Sequence, residues 1–334
     1  MSIRVAINGF GRIGRSVFRI LSGHSTIEVV CINDIFKNEA LAYLLKYDTV
    51  MGTFKEPVHF DDEALYVGGK KVLMTSVRNP ADARWKELEI DVVIESTGIF
   101  TRRADLEKHL AAGAKRVLLT VPPKDNVDHM VVMGVNDDQL ESHHLLVSNA
   151  SCTTNCLAPL AKVLDESFGI AYGIMNTVHA YTNDQRLADV PHEDFRRSRA
   201  AAENIIPTTT GAARAVGVVL PRLSGKLDGV ATRVPVSDGS VVDLVVQLDK
   251  KPDKDAINGA VRAAAEGALK DVLEYSEVPL VSSDIIGNPH SSIFDSLVTQ
   301  ATGDGYARVV SWYDNEWGYS NRCVDVIERM GQFG

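Results

Sequence analysis

The chain has few cysteines for its length, with four in 334 residues. A disulfide framework would need more than this in so long a chain, so we expect reduced thiols and a cytoplasmic location. The first residues, MSIRVAINGFGRIGRS, lack the uninterrupted apolar stretch and the cleavage site of a secretory signal. No uncharged apolar run reaches 18 residues, so the sequence predicts no membrane span.

The chain also lacks an excess of basic residues. It has 35 Lys and Arg against 44 Asp and Glu, a formal charge of -9, and no long basic tract. This balance argues against nucleic acid as a primary partner. The hydrophobic fraction of 45% and the charged fraction of 24% indicate a folded protein rather than a disordered one. A length of 334 residues suits about two domains.

Strands alternate with helices in the first 150 residues. We expect strands at 3–7, 28–33, 91–95 and 116–120, with helices after the first strand and at 38–46 and 104–112. This alternation implies right-handed crossovers, and so an α/β, Rossmann-type doubly wound parallel sheet. We therefore predict a first domain of this class over residues 1–150.

The pattern changes after residue 150. One amphipathic helix at 152–167 precedes strand-like runs at 172–179, 228–236, 240–248 and 306–313, which favours a second, α+β domain of mainly antiparallel sheet. We expect this catalytic domain over 151–317, and a terminal helix at about 318–334 that packs back on the first domain. The polar segment 181–204 lacks clean periodicity, which is typical of a long functional loop.

Three glycines between the first predicted strand and helix form a dinucleotide-binding pattern. Gly9, Gly11 and Gly14 stand at G-x-G-x-x-G spacing, and Asp34 follows Gly14 by twenty residues at the end of the second strand. The glycines permit a tight turn, close approach of a pyrophosphate and close helix packing, while the acid accepts from ribose hydroxyls. An acid there disfavours the 2'-phosphate of NADP, so NAD is predicted. Asp34 can also serve as a helix cap or turn residue.

The segment SNASCTTNC contains the best candidate nucleophile. Cys152 falls in the first turn of a predicted helix with Ser151 as its N-cap, and such a position lowers a thiol pKa. The competing interpretations are an oxidation-prone structural pair with Cys156, half of a metal site, or two buried residues. No C-x-x-C motif supplies further ligands at the spacing of a metal site, so we predict no metal. Cys156, inside the helix, is expected to be structural.

A thiol nucleophile needs a proton acceptor, and His179 is the best placed of the nine histidines. It ends a strand-like run and opens the long loop, where strand ends present side chains to a cleft. A histidine at a strand end can equally be a structural one.

Several long motifs identify a family. VAINGFGRIGR, LLKYDT, ESTGIFT, SNASCTTNCLAPLAKV, TVHAYTNDQ, NIIPTTTGAA and SWYDNEWGYSNR occur in this order along nearly the whole chain. With them the chain resembles phosphorylating, NAD-dependent glyceraldehyde-3-phosphate dehydrogenases, which are homotetramers of glycolysis and gluconeogenesis.

The resemblance implies a reaction. Cys152 would attack the aldehyde of glyceraldehyde 3-phosphate, and the thiohemiacetal would be oxidised by NAD while His179 accepts a proton. Inorganic phosphate would then cleave the thioester and release 1,3-bisphosphoglycerate.

The resemblance also assigns binding residues. It implies that the cofactor is bound by Gly9, Gly11, Arg12, Ile13, Gly14, Asp34, Arg78, Thr120 and Asn315. The phosphate of the substrate would be bound by Thr182 and Arg233. Inorganic phosphate would be bound by Ser151, Thr153, Arg197, Thr210 and Gly211. Outside the family pattern, Arg197 in FRRSR would be a solvated charge and TTTG a turn. Where relatives commonly have S-A-P-S or T-A-P, this chain has Thr120 followed by Val-Pro-Pro, which keeps the hydroxyl but changes the loop.

Two alternatives stay open at this point. Erythrose-4-phosphate dehydrogenase shares the fold, the cysteine and the histidine, but it typically lacks the TTTG anion motif that is present here at Thr210 and Gly211. A noncatalytic, NAD-dependent binding protein would leave the thiol, the base and the anion residues unexplained.

Overall fold

The computed structural model describes residues 2–333 and separates them into two compact units. Unit 1 contains residues 2–131, 137–150 and 320–333, and unit 2 contains 132–136 and 151–319. Within residues 2–333, no helix has both the length and the apolar character that crossing a bilayer requires.

Unit 1 is built on a nine-stranded sheet in the order β3-β4-β5-β2-β1-β6-β7-β9-β8. Its elements are β1 Ile3–Asn8, α1 Arg12–Leu21, β2 Ile27–Asn33, α2 Asn38–Lys46, β3 Val58–Phe60, β4 Ala64–Val67, β5 Lys70–Thr75, β6 Val92–Glu95, α3 Arg103–Ala111, β7 Arg116–Leu119, β8 His129–Met130 and β9 Leu146–Ser148. All pairings are parallel except β3 with β4 and β4 with β5. The predicted doubly wound sheet is confirmed.

The central strands are apolar because helices cover both faces of a parallel sheet. Val5, Ala6 and Ile7 of β1 are completely buried. The carboxyl ends of β1, β2 and β6 lie side by side, since Asn8 pairs in register with Asn33 and with Glu95. This edge of the sheet is where α/β proteins bind their ligands.

Unit 2 contains the second sheet, in the order β11-β12-β10-β13-β17-β15-β14, with β16 beside β17. Its elements are α4 Cys152–Phe168, β10 Ile170–Ala180, β11 Ile206–Thr209, α5 Ala212–Val219, β12 Leu227–Val234, β13 Ser240–Leu248, α6 Lys254–Glu266, β14 Leu273–Ser276, β15 Ser292–Asp295, β16 Gln300–Ala301 and β17 Tyr306–Tyr313. The pairings are antiparallel apart from β10 with β12 and β14 with β15. The predicted mainly antiparallel sheet is confirmed. A final helix, α7 Trp317–Gly331, follows.

Strand β10 shows how this sheet positions a functional side chain. Side chains alternate between the two faces of a strand. Met175, Thr177 and His179 are buried on one face, whereas Tyr172 and Ile174 of the other face are 55% and 67% exposed. Helix α4 contacts β10, β13, β15 and β17. His179 therefore ends the buried face of its strand.

Candidate active site

The glycine turn of unit 1 has the geometry of a dinucleotide site. Gly9 has φ +95°, and a Cβ there would lie 2.7 Å from the backbone N of Thr97. A Cβ on Gly14 would lie 2.2 Å from the carbonyl oxygen of Gly9. Gly11 is different, because it is exposed and a Cβ there would meet nothing within 4 Å. Two glycines are thus required by the turn itself, while the third leaves free space at the start of α1.

A cleft of about 280 Å³ opens beside this turn. It is lined by Asn8, Gly9, Gly11, Asn33, Asp34, Ile35, Phe36, Val77, Arg78, Ser96, Thr97, Ile99 and Phe100. The apolar side chains Phe36 and Ile99 are 67% and 73% exposed here, as expected of surfaces that cover a planar base. Asp34 is only half-buried, and its carboxylate accepts from the backbone N–H of Phe10 at 2.7 Å and of Phe36 at 3.1 Å. These bonds orient the carboxylate, so Asp34 acts as a turn residue as well.

The other expected cofactor residues are spread more widely. Ile13 is half-buried in the first turn of α1, and the Arg12 guanidinium pairs with Asp48. The Thr120 side chain is buried, its hydroxyl donates to the carbonyl of Glu95 at 3.1 Å, and it does not line the cleft. Asn315 belongs to unit 2, where its Oδ1 accepts from Ser240 Oγ at 2.6 Å.

A thiol and an imidazole meet in unit 2. Cys152 is the first residue of α4, and the Ser151 hydroxyl caps that helix by accepting from the N–H of Thr154 at 3.0 Å. The Cys152 Sγ lies 3.5 Å from His179 Nε2. The long chain separation between the two residues explains why the sequence alone left the partner of the thiol open.

Burial controls the electrostatics of this pair. It raises the pKa of the Cys152 thiol to about 11, and the positive charge of Arg233 offsets only part of that effect. Burial, aided by Arg233, lowers the pKa of His179 to about 3. The expectation of a lowered thiol pKa is therefore wrong for the thiol alone, because enclosure by protein outweighs the helix start. Each group resists charging alone and is neutral at neutral pH.

The remaining cysteines lie in the interior. All four thiols are free, and Cys31, Cys156 and Cys323 are completely buried. Cys156 Sγ lies 3.7 Å from both Ser292 Oγ and the Ser311 carbonyl oxygen. Burial raises its pKa to about 12. Cys156 is thus a core residue, and among residues 2–333 no cluster of three or more histidines, cysteines or acids could hold a metal.

Arg233 connects the base to the long loop. It lies opposite His179 in the parallel pair of β10 and β12. Its Nη1 contacts His179 Nδ1 at 2.9 Å and donates to the Ala180 carbonyl at 3.0 Å and to Thr182 Oγ1 at 3.1 Å. The two residues expected to hold the substrate phosphate are therefore adjacent to each other and to the base.

Arg197 is tied to the same loop by an acid that the sequence did not single out. Asp184 accepts from Arg197 Nη1 at 2.6 Å and, through its other oxygen, from the Thr182 hydroxyl. Arg197 Nε donates to Thr208 Oγ1 at 2.9 Å. In a sequence, an acid in a polar loop carries no mark that distinguishes this linking role.

The remaining expected anion residues lie at two helix starts. Thr210 and Gly211 precede α5, where the Thr210 hydroxyl accepts from the N–H of Ala212 at 3.2 Å and a Cβ on Gly211 would meet nothing within 4 Å. Thr153 is only 4% exposed, and its hydroxyl lies 2.8 Å from the hydroxyl of Tyr313. That tyrosine, which sequence reasoning missed, also contacts Thr177 Oγ1 at 2.8 Å.

Unit 1 has a glycine-turn cleft, and unit 2 has a thiol–imidazole pair near Arg233 and Arg197. These two features are typical of a dehydrogenase that uses a cysteine nucleophile. Comparison with known families specifies it further. The profile of the glyceraldehyde 3-phosphate dehydrogenase NAD binding domain matches residues 3–103, and that of the C-terminal domain matches 151–315. The chain belongs to the glyceraldehyde-3-phosphate dehydrogenase family.

Full-length relatives agree with this assignment. Glyceraldehyde-3-phosphate dehydrogenase of Streptomyces coelicolor is 56% identical over 334 residues, and glyceraldehyde-3-phosphate dehydrogenase 2 of Streptomyces avermitilis is 55% identical over 333. Glyceraldehyde-3-phosphate dehydrogenase of Mycobacterium bovis is 54% identical over 339 residues. Each comparison covers 99% of both chains.

Proposed function

We propose that this chain oxidises D-glyceraldehyde 3-phosphate to 1,3-bisphosphoglycerate, with NAD+ as oxidant and inorganic phosphate as second substrate. The observation that carries the proposal is the 3.5 Å contact between Cys152 Sγ and His179 Nε2, next to Arg233 and Thr182. Family membership and identity of about 55% over the full chain support the same activity.

The first step is addition of the thiol to the aldehyde carbon. Neutral His179 takes the Sγ proton on Nε2, and the resulting imidazolium and thiolate stabilise each other because opposite charges at this distance favour both charged forms. The thiolate forms the S–C bond, and the carbonyl oxygen takes the proton back from His179. A thiohemiacetal on Cys152 and a neutral imidazole result. The N–H groups at the start of α4 favour the transient oxyanion.

The second step oxidises the thiohemiacetal. NAD+ would supply the hydride acceptor when bound, and the open space at Gly11, which has no Cβ, suits close approach of its pyrophosphate. As the hydride leaves the carbon, His179 accepts the hydroxyl proton, and the C–O bond becomes the carbonyl of a thioester. The ring is already oriented for this role, because Nδ1 carries the proton that it donates to the Ala180 carbonyl at 2.7 Å, which leaves Nε2 free to accept.

The third step transfers the acyl group to inorganic phosphate. A phosphate oxygen attacks the thioester carbon, the phosphate releases its proton to solvent, the C–S bond breaks, and the thiolate regains its proton from the imidazolium of His179. Water would also cleave a thioester, so phosphate must be held in place. Ser151, Thr153, Arg197, Thr210 and Gly211 are proposed to hold it, because arginine forks and hydroxyls bind phosphate oxygens well.

Thr182 and Arg233 are proposed to hold the phosphate of the aldehyde substrate. Asp184 accepts from Thr182 and from Arg197, one residue of each proposed anion site. It therefore links one residue of each proposed anion site within the long loop.

We also propose that the protein acts as a cytoplasmic homotetramer. Four free thiols suit a reducing compartment. The outer face of the unit 2 sheet exposes Tyr172, Ile174, Val230, Val245 and Tyr306, and the long loop exposes Leu187 and Phe195 at 88% and 87%. Apolar surface of this extent is typical of a subunit interface. Sedimentation analysis at micromolar concentration should give four chains per particle, and a monomer would contradict the assembly.

The activity is tested by NADH formation from glyceraldehyde 3-phosphate and NAD+, with and without inorganic phosphate. Sustained turnover only with phosphate is expected. Parallel assays with NADP+ should be far slower, because Asp34 repels the 2'-phosphate. Turnover that ignores phosphate would show that water resolves the thioester. Faster turnover of erythrose 4-phosphate would assign the chain to that substrate instead.

A further inference from the structure

A buried carboxylate lies beneath the dinucleotide cleft of unit 1. Glu95 ends β6 and is completely buried. One carboxylate oxygen accepts from Asn8 Nδ2 at 2.5 Å and lies 3.1 Å from His109 Nε2. The other accepts from the N–H of Thr97 at 2.9 Å and from the Thr97 hydroxyl. Glu95 opens the ESTGIFT motif, but neither the glycine pattern nor the resemblance gave it a role.

Trp85, which contacts the other ring nitrogen of His109, defines the tautomer of that histidine. The indole N–H of Trp85 donates to His109 Nδ1 at 3.0 Å, so Nδ1 carries a lone pair and Nε2 carries the proton. His109 is therefore a neutral donor to Glu95. With Asn8 and Thr97, it brings four hydrogen-bond donors to one carboxyl group.

Three of these donors, the side-chain N–H of Asn8, the Nε2–H of His109 and the backbone N–H of Thr97, cannot accept a hydrogen bond, and together they occupy both carboxyl oxygens. An amide in this position would place its own hydrogens against Asn8 and His109 or against the backbone N–H of Thr97. The identity of the residue is constrained by hydrogen bonding rather than by its volume.

The four donors connect Glu95 to the cleft. Thr97 is the residue whose backbone abuts Gly9 in the glycine turn. Asn8 accepts from Asn33 Nδ2 at 2.7 Å, and Asn33 Oδ1 accepts from the N–H of Val77 at 2.7 Å. Asn8, Asn33, Val77 and Thr97 all line the cleft.

We propose that Glu95 is a positioning residue for NAD, which fixes the glycine turn and the base of the dinucleotide cleft through Asn8 and Thr97. The tautomer of His109, held by Trp85, is part of the same arrangement. Preorganised polar groups reduce the ordering cost of binding, so loss of the arrangement weakens the cofactor complex. This inference deepens the proposed function, since it concerns the site of the same cofactor.

The test compares Glu95→Gln with wild-type protein and with Glu87→Gln as a matched control. Glu87 is exposed and pairs with Arg84 on the surface, so its change carries the same loss of charge without the buried network. NAD affinity is measured by titration calorimetry, and Cys152 reactivity by iodoacetamide alkylation in the absence of NAD. Glu95→Gln should raise the NAD dissociation constant about tenfold or more, while thiol alkylation changes less than twofold. Glu87→Gln should leave both unchanged.

Steady-state kinetics separate positioning from general damage. In Glu95→Gln the KM for NAD should rise, with kcat at saturating NAD within about threefold of wild type. A merely structural role would instead lower the yield of folded protein without changing KM. Folded Glu95→Gln with wild-type NAD affinity would overturn the inference.

Trp85→Phe keeps the test decisive if Glu95→Gln does not fold. It removes the indole donor and makes a fully buried ring smaller, at a site outside the cleft, and it releases the His109 tautomer. A rise of about twofold to fivefold in the NAD dissociation constant is expected, and an unchanged constant would overturn the inference. Wild-type protein that fails to bind NAD would overturn the proposed function itself, an outcome distinct from either variant result.

Discussion

The two candidate sites are built in different ways. The cleft of unit 1 is made by one local turn and by strand ends that lie side by side, so that Gly9, Gly11 and Gly14 come from six consecutive positions. The thiol site of unit 2 is made by side chains far apart in the chain, because Cys152, His179 and Arg233 come from three separate elements.

This difference decides what each site tolerates. In the cleft, steric clashes limit which residues are tolerated. A Cβ on Gly14 would lie 2.2 Å from the carbonyl oxygen of Gly9, whereas a Cβ on Gly11 would meet nothing within 4 Å. At the thiol, the limits are electrostatic, since burial holds the pKa of Cys152 at about 11 and that of His179 at about 3. Substitutions that remove a reacting group from unit 2 should therefore leave cofactor binding intact. Substitutions in the cleft of unit 1 should weaken cofactor binding and leave the reactivity of the thiol intact.

The largest expected effect is that of Cys152→Ala. Without the thiol no thiohemiacetal forms, so aldehyde oxidation should fall below detection, at least a thousandfold down on the scale of lost nucleophiles. NAD affinity should stay within about threefold of wild type, as calorimetry can show. The matched variant Cys156→Ala removes a buried thiol one turn later and should keep oxidation. Loss of NAD affinity by orders of magnitude in Cys152→Ala would contradict the separation of the two sites.

His179→Asn should have the next largest effect. Asparagine keeps a polar side chain but cannot accept the proton, so the first burst of NADH should slow by about 10²-fold to 10⁴-fold. Iodoacetamide should also alkylate Cys152 more slowly at neutral pH, because the thiol loses the acceptor that allows it to ionise. Stopped-flow absorbance measures the burst. A burst at nearly the wild-type rate would place the base elsewhere.

How much the sequence predicted follows from the same contrast. The parallel sheet, the glycine turn and Asp34 were predictable because they depend on periodicity and spacing along the chain. The sequence alone left open which residue accepts the proton of Cys152. The structure identifies His179, because the end of β10 lies beside the start of α4. The strands β3, β4 and β5, which are joined by antiparallel pairings, were not predicted, because runs of three to six residues give little periodicity.

Burial within the fold determines properties of the two sites that neither residue spacing nor the family resemblance predicted. The thiol pKa was expected to fall at a helix start, yet enclosure raises it, and enclosure is a property of the whole fold. Tyr313 and Glu95 support the sites through hydrogen bonds across long stretches of chain, and Asp184 does so within the long loop. Their residue types are common and give no local signal, so only coordinates identify them.

Gly11→Ala and Gly14→Ala sharpen the steric half of the comparison. Gly11→Ala should fold like wild type, because its Cβ meets nothing within 4 Å, but the methyl group occupies the proposed approach of the pyrophosphate. We expect NAD to bind about tenfold or more weakly. Gly14→Ala forces a Cβ within 2.2 Å of the Gly9 carbonyl and should destabilise unit 1 by about 1–3 kcal/mol or more. Calorimetric titration and thermal unfolding measure the two effects, and equal stability losses in both variants would contradict the distinction.

The smallest expected effect concerns a second buried acid, in unit 2. Asp238 is completely buried, and no donor hydrogen-bonds to its Oδ2. Burial raises its pKa to about 9, and the charge of Asp314, a hydrogen bond with Asp314 and the charge of Glu316 act in the same direction. Between its unfolded pKa near 4 and its folded pKa near 9, the unfolded chain has lost this proton while the folded chain keeps it. The folded state binds more protons there, so stability falls as pH rises across that window.

Asp238→Asn should therefore stabilise the protein at pH 8.5 and not at pH 3.5. Asparagine keeps a hydrogen-bond donor toward Asp314 and cannot ionise in the unfolded chain. We expect a gain of about 1–3 kcal/mol at the higher pH, the usual scale for a buried polar group whose partner is restored. Urea unfolding at the two pH values measures it. An equal change at both would mean that packing, not ionisation, sets the cost of this acid, and the electrostatic limits of unit 2 would then be confined to the thiol and its base.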